Sequence, residues 1–299
     1  VGFLDVIIMK FKTEIILDSV APSGSRLTTF VLTYPRFIHS EFMTHRKMSK
    51  NSASSRALPI QKNIDSISNF PAMPIEWGTA KPGMQAGEET KHKDLAQKIW
   101  LEASKEMVLA AQKLAGIVSV NENGEIVPDN SPDAIKLNIH KQVTNRILEP
   151  FMWMTVICTA TDYDNFFALR CHPDAQPEIQ KLANMMKEAY DNSTPLELND
   201  GEWHTPFIQE DEKTLDVDIK KKIAVARSAR VSYLTHDGKR NIEKDLELYD
   251  RLIGGSGTGH WSPFEHVAIA CAEKISSGNF DGFIQFRKLF DNENQVRKS

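Results

Sequence analysis

Apolar and polar residues alternate along Met9–Val20, "MKFKTEIILDSV", the period of a half-buried strand, and "APSGSR" follows as a turn. The β-branched and aromatic run "LTTFVLTY" predicts a second strand. Pro35 then opens a helix in which Phe37, Ile38, Phe42 and Met43 recur at helical spacing. Its end runs into "THRKMSKNSASSRALP", Thr44 to Pro59, which reads as a polar, basic loop with almost nothing to fill a core. Pro71–Glu89 is dense in Pro and Gly, an irregular segment of a length more often functional than idle. "KDLAQKIWLEASKEMVLAAQKLAGI" is an amphipathic helix with Leu95, Ile99, Trp100, Ala103, Met107, Ala110 and Leu114 as its apolar stripe and Gly116 as its stop.

Farther along, "NENGEIVPDNSPD" is a turn-rich loop and "DAIKLNIHKQVTNRIL" predicts a helix. "FMWMTVICTAT" has the composition of a buried strand, and "DYDNFFALR" and "QPEIQKLANMMKEAY" of helices. "STPLELNDGEWHTPF" reads as a polar loop, "IKKKIAVARSARVSY" as a helix entering a small-residue turn, and "NIEKDLELYDRLI" as a helix. "HVAIACAEKI" predicts a strand and "NFDGFIQFRKLF" a last amphipathic helix. Strands and helices alternate without strict βαβ units, so the pattern predicts an α+β fold with a mixed or antiparallel sheet and packed helices. One domain over 1–299 is expected, with 91–145 a helical insert and 1–8 an extension ahead of a natural start at Met9.

Composition narrows the classes. With 41% apolar and 25% charged residues the chain can bury a substantial core. A net charge of −4 argues against nucleic acid as a partner and makes the basic cluster local. Cys158, Cys171 and Cys271 form no CxxC pair and no even set, which fits a reducing cytoplasm rather than a disulfide framework or a zinc site. No apolar run is long enough to span a bilayer, so no membrane role is expected, and "VGFLDVIIMK" lacks the marks of a signal peptide.

Four stretches hold polar side chains that packing does not require: Thr44–Arg56, Asn145–Arg170, Gly201–Phe207 and Gly259–His266. Each alone has a plain reading as solvated loop or satisfied core. His260 and His266 fit neither a helical ligand pair nor a zinc spacing, and no metal is expected. Arg170-Cys171-His172-Pro173 resembles a thiol–imidazole pair, yet adjacent residues rarely face each other.

Together these stretches resemble the flavin-dependent thymidylate synthases. That family's signature, R-H-R-x-x-S-x-N-x-x-S-x-R-Y, is matched without a gap at His45, Arg46, Ser49, Asn51, Ser54 and Arg56. "HWSPFEH" is similar to the family's H-x-[ST]-P-F-E-H, "ARSARVSY" to the start of its chain, and "RILEP", "NFFALR" and "DAQPEI" to its C-terminal part. The order differs: here the signature comes first and "ARVSY" and "HWSPFEH" come last. That is a circular permutation, of a kind that occurs among bacteriophage relatives and is tolerated when old termini lie close together. Thr44 replaces the signature's first Arg, Glu41 stands where Gln is common, Ser52 replaces Glu, and Ala57 replaces the closing Tyr. Thr159 and Thr161 stand at positions that touch flavin in the family. Pro71–Gly83 has no clear counterpart.

The resemblance implies transfer of a one-carbon unit to C5 of dUMP, giving dTMP, with FAD, methylenetetrahydrofolate and NADPH. It also implies a homotetramer with shared sites in the cytoplasm, that of a bacterial host for a phage protein. Glu41, Ser52, Ser54, Ser55, Arg56, Arg146 and Arg170 are the expected nucleotide contacts, with Arg170 and nearby Arg146 polarising the ring. His45, Arg46, Asn51, Asn165, His260, Ser262 and Glu265 are the expected flavin contacts. Arg287, with Gln285 beside it, is a candidate to replace the missing signature Arg. Two alternatives stay open: a dUMP or dCMP 5-hydroxymethylase on the same scaffold, and a non-catalytic nucleotide-binding homologue.

Overall fold

The computed structural model describes residues 11–231, 241–254, 259–291 and 293. The expectations for residues 1–8, for Met9 and for Ser232–Tyr233 of "ARSARVSY" lie outside them. Strands β1 (Lys12–Val20) and β2 (Arg26–Pro35) form an antiparallel hairpin, and a 3-10 turn at Arg36–Ile38 leads into helix α1 (His39–Met43). Then come β3 (Ser49–Ser52), α2 (Ile60–Asn69) and α3 (Lys93–Ala115). A small hairpin of β4 (Ser119–Val120) and β5 (Ile126–Val127) precedes α4 (Lys141–Thr144) and a 3-10 turn at Asn145–Phe151. Strand β6 (Trp153–Ala160) leads to α5 (Asp164–Arg170) and α6 (Pro177–Asn192). After the short strands β7 (Leu196–Glu197) and β8 (Trp203–His204) lie α7 (Val217–Val231) and α8 (Ile242–Gly254). A 3-10 turn at Ser262–His266 and strands β9 (Ala268–Ala270), β10 (Ser276–Ser277), β11 (Phe280–Asp281) and β12 (Phe283–Gln285) follow.

The main sheet has the order β3-β6-β2-β1-β7, antiparallel except for the parallel β1–β7 pair. A second sheet runs β12-β9-β8. The architecture is α+β with a mixed sheet, as the pattern predicts. Side chains alternate across a strand, so the even positions of β2 and β6 share one face. Phe30, Leu32, Tyr34, Met154, Val156 and Cys158 there pack against Phe166, Ile179, Leu182, Ala183 and Met186 of α5 and α6. The odd positions Thr29, Ile157 and Thr159 are also buried, on the opposite face. A separate core joins α7 and α8 to Trp261, Phe264 and Phe286, and another joins α2 and α3 to Leu148, Phe151 and Met152.

Several local expectations are overturned, among them the polar loop over 193–207, which carries β7 and β8. Ser49–Ser52 is an edge strand rather than loop, because β6 offers it an unpaired edge in register Ser49↔Thr159 to Ser52↔Val156. Residues 133–140 are not helical: Ile135 bridges Val120, and helix starts only at Lys141. "NFDGFIQFRKLF" is two short strands and a 3-10 turn, since Gly282 sits at φ 72°, which breaks any helix. On α3 the inward face is Ser104, Val108 and Ala111 with Trp100, Ala103 and Met107, while Leu95 and Ile99 are each 56% exposed. Gly116 does end that helix, in the left-handed conformation at φ 70°.

The α7–α8 unit is closed by buried charge. Arg227 donates to both oxygens of Glu212 at 2.6 Å, to Asp245 at 3.0 Å and to the Phe207 carbonyl at 2.8 Å. Phe207 takes φ 68°, a costly value for a bulky residue, to present that carbonyl. Removing one member of such a network leaves the others buried without compensation. Arg227→Met is expected to cost about 3–5 kcal/mol of folding stability, measured by urea unfolding. A loss below about 1 kcal/mol, the range of an exposed pair, is the contrary result.

Candidate active site

Thr29, Thr159 and Ser49 occupy one row across the main sheet, because Thr159 is in register with both of the others. Ser49 Oγ donates to Glu265 Oε2 at 2.8 Å, which ties the edge strand to the Ser262–His266 turn. Gln285 Nε2 donates to Ser49 Oγ at 3.2 Å and to Asn279 Oδ1 at 3.0 Å, and the Arg287 guanidinium binds the other Glu265 oxygen. Arg287 also pairs with Glu293 at 2.5 Å. Arg287 is thus held between two carboxylates, Glu265 and Glu293.

From the same row a buried polar chain runs inward. His266 Nδ1 meets Thr159 Oγ1 at 2.8 Å, Thr159 Oγ1 meets Thr29 Oγ1 at 2.8 Å, and Thr29 Oγ1 meets His204 Nε2 at 2.9 Å. His204 Nδ1 completes it on Ser19 Oγ at 2.9 Å. Both imidazoles are fully buried. Burial drives the His204 and His266 rings down to about 3, so both are neutral at physiological pH. His266 Nε2 has no partner among the described residues.

On the other side of the signature stand Arg170, His45 and Glu41. Arg170, at the end of α5, donates from Nε to His45 Nε2 at 2.9 Å and pairs through a terminal nitrogen with Glu41 of α1. Burial, with Arg170 and Lys50 nearby, lowers His45 to about 4. Since Nε2 accepts, the ring proton of His45 sits on Nδ1. Glu41 and Arg170 both line a cavity of about 1340 Å³ whose remaining wall comes from 74–93 and the start of α6.

A third group gathers around Glu149. It accepts from Ser55 Oγ at 2.6 Å and Arg146 at 2.9 Å, and pairs with Arg36 at 2.9 Å. These hydrogen bonds and cations outweigh burial and hold its carboxyl below the usual range. Asn145 Nδ2 fastens the Ser55 carbonyl at 2.6 Å and the Leu58 carbonyl at 3.0 Å, fixing the turn that carries Ser54 and Arg56. Within one chain Arg146 and Arg170 belong to different hydrogen-bond networks. Ser52, opposite Val156, faces away from the Ser49–Thr159 row. Glu149 is a site neighbour that motif reading did not assign. Glu149 falls inside "NRILEPF", and its signal is the cation-rich surroundings that only the fold assembles.

The family model described as "Thymidylate synthase complementing protein" matches residues 26–196, more than half of the chain. The chain belongs to this family. Among similar solved structures are two of PolB, a UMP/dUMP methylase from Streptomyces cacaoi, bound with 5-Br dUMP and with 5-Br UMP. The first is 18% identical with a TM-score of 0.39, over 55% of this chain and 65% of that one. The second is 15% identical with a TM-score of 0.42, over 60% and 88%. The chain thus spans just under two thirds of the first structure's length. No curated protein matches the chain.

The family match contains the signature and "NFFALR" but stops before "HWSPFEH", which the fold nonetheless seats on the signature strand through Glu265. A thymidylate synthase complementing protein of the flavin type needs donors for a diphosphate and for a ring edge. Arg46, Arg56, Asn165, His260 and Ser262 are exposed, and their side chains make no hydrogen bond or ion pair with the described residues. Asn51 is buried on β3. Arg46, Asn165, His260 and Ser262 thus each offer an exposed donor of a type that FAD's diphosphate and ring edge need. Among the described residues no group of three or more His, Cys, Asp or Glu could hold a metal ion, and no helix is long and apolar enough to cross a membrane.

The buried imidazoles set an acid limit. Their folded pKa of about 3 lies below the ordinary 6.5, so the unfolded chain takes up protons first. Stability is complete above pH 6.5 and is lost as pH falls toward 3. The loss at pH 5 is expected to be about 2 kcal/mol per histidine. Denaturant midpoints at pH 7.5 and 5 measure it, and H204Q should shrink the difference; an undiminished difference in H204Q assigns the acid loss elsewhere.

Proposed function

We propose that the chain transfers a one-carbon unit from methylenetetrahydrofolate to C5 of a pyrimidine deoxynucleotide monophosphate, dUMP to dTMP, with FAD and with NADPH as reductant. The observation that carries this reading is the Ser49–Glu265 hydrogen bond at 2.8 Å. It brings "HWSPFEH" onto the signature strand although 216 residues separate the partners. The same contact supports a circular permutation of the family order, since a displaced segment has returned to one place in space.

Arg170 is the residue that faces the ring. Held by His45 and Glu41, its guanidinium is fixed in direction and keeps donors for a carbonyl oxygen where negative charge develops. His45 is the neutral acceptor that orients it. Ser54, Ser55, Arg56 and Arg146 form the phosphate end, with Asn145 and Glu149 holding their turn. Because that end and Arg170 lie in separate networks of one chain, the reading includes a homotetramer in which they meet across subunits. FAD, when bound by Arg46, Asn165, His260 and Ser262, supplies the redox chemistry. Glu265, already engaged by Ser49 and Arg287, positions the turn that carries Ser262.

Cys171 is half-buried at the end of α5 and burial pushes its thiol up, so it is a poor nucleophile. A second reading is a dUMP or dCMP 5-hydroxymethylase, and one observation favours dCMP as its substrate: the carboxylate of Glu41 stands on the cavity wall beside Arg170 and can accept from an exocyclic amine.

The test is incubation with dUMP or dCMP, FAD, NADPH and methylenetetrahydrofolate, followed by mass measurement of the nucleotide. A methyl product supports the first reading, a product heavier by one oxygen the second, and an unchanged nucleotide under all conditions overturns both. Arg170→Ala should lower kcat by about 10²–10³-fold. Cys171→Ala should keep wild-type activity, and an inactive C171A would overturn the route without a cysteine nucleophile.

A further inference from the structure

Lys50 breaks the pattern of its surroundings. In the register of the main sheet it stands opposite Cys158 of β6, which in turn stands opposite Phe30 of β2. Residues opposite one another share a face, so the Lys50 side chain enters the apolar one. Phe30, Phe42, Met48 and Cys158 are buried in that core. The ammonium lies 5.0 Å from the centroid of the Phe42 ring and donates to the His45 carbonyl at 2.5 Å. A lysine on hydrocarbon ordinarily carries its head to water or finds a carboxylate. Lys50 is half-buried, its head is turned back onto the signature, and no carboxylate among the described residues pairs with it. A cation held partly out of water without a counter-ion costs stability, so its retention points to a task. The signature leaves this position open, between Ser49 and Asn51.

His45, the residue Lys50 reaches, is buried and met from three elements. From α5 come Arg170, whose Nε donates to His45 Nε2 at 2.9 Å, and Phe166, edge-on with centroids 4.9 Å apart. From α1 comes Glu41, whose carboxylate pairs with the Arg170 guanidinium. From β3 comes Lys50. The ring thus has two cations for neighbours, and the carboxylate of the group is engaged by one of them. Burial, then Arg170 and Lys50, oppose a further proton on the ring. That opposition matters to Arg170. Its Nε–H bonds only to a lone pair, and an imidazolium carries a hydrogen on both nitrogens and accepts nothing. A proton on Nε2 would set two donors face to face and leave the guanidinium to Glu41 alone.

We infer that Lys50 is a positioning residue for Arg170: its ammonium, held beside His45, keeps that imidazole a neutral acceptor and so keeps the Arg170 guanidinium fixed on the cavity wall. Lys50 acts through His45 and touches no substrate. This role rests on the reading of Arg170 as the residue that faces the pyrimidine, and it adds what holds Arg170 there as pH falls.

The test compares the full wild-type chain with Lys50→Met, Lys50→Gln and Lys50→Arg. K50M keeps an apolar stem, K50Q keeps a donor for the His45 carbonyl without the charge, and K50R keeps the charge. The His45 ring is titrated by NMR on protein carrying isotope-labelled histidine, its signal assigned as the one lost in His45→Gln. Its pKa should rise by about 1 unit in K50M and K50Q and hold the wild-type value in K50R. Since wild-type His45 titrates at about 4, such a rise protonates about half of the ring at pH 5. Between pH 7.5 and 5, dUMP affinity measured by calorimetry should then fall about twofold further in K50M and K50Q than in wild type. A lysine that serves packing alone would change the urea midpoint and leave the His45 titration in place. A His45 that titrates alike in K50Q and wild type therefore overturns the role, as does a K50R that titrates like K50M. So does a raised His45 pKa with dUMP affinity that follows wild type at both pH values. The titration needs no nucleotide, which separates the two levels. A shifted His45 in a chain that binds no dUMP at any pH leaves the hold of Lys50 on His45 standing and sinks the reading of Arg170.

Discussion

Strand β6 is paired on both edges, so each of its side chains must suit two neighbours in register at once, and Thr159 is where that constraint organises the molecule. On the even face the requirement is hydrocarbon, and β6 supplies Met154, Val156, Cys158 and Ala160 to the main core. On the odd face Thr159 stands between Thr29 and Ser49, three hydroxyl residues in one row. Hydroxyls buried there need partners, since an unpaired one costs about 1–3 kcal/mol. The partners come from far along the chain: His204 on Thr29, His266 on Thr159, Glu265 on Ser49. The polar row is thus what draws the C-terminal third of the chain onto the signature strand. An apolar row would pack as well but would not select these segments.

Much of the fold was legible because its signals are local. The β1–β2 alternation, the buried-type β6 and the amphipathic α6 all carry their burial pattern in their own residues. What was not legible depends on partners. Ser49–Ser52 has no strand-like composition and is a strand only because β6 presents a free edge. The 133–140 stretch has helix-compatible residues but spends its backbone on a bridge to Val120. On α3 only part of the predicted stripe is buried: Trp100, Ala103 and Met107 face inward with Ser104, Val108 and Ala111, while Leu95 and Ile99 lie outside.

The site divides in the same way. Motif spacing named Glu41, His45, Ser55, Arg146, Arg170 and Glu265 as polar positions of consequence, and each proves to be held in a specific network. Pairing was beyond reach. Arg146 and Arg170 are both cations in one sequence neighbourhood, yet one serves Glu149 and the other Glu41. Glu149 escaped notice because a lone Glu before a Pro carries no local signal; its weight comes from Ser55 and Arg36 meeting it in space.

The departures from the family signature now have a physical logic. Thr44, standing where the signature has Arg, bonds through Oγ1 to the Glu41 carbonyl at 2.7 Å and so finishes α1 instead of carrying charge. Glu41 meanwhile adds an anion where Gln is common. The two changes move local charge in the same direction, and Arg170 is the cation that answers them. On the reading proposed above, its guanidinium is consequently shared between Glu41 and the bound ring. A shared cation draws less electron density from a bound carbonyl, while the carboxylate beside it adds an acceptor for a donor edge. The wall of this cavity is therefore a donor–acceptor pair rather than a lone positive charge, and a pyrimidine must match both halves to sit there.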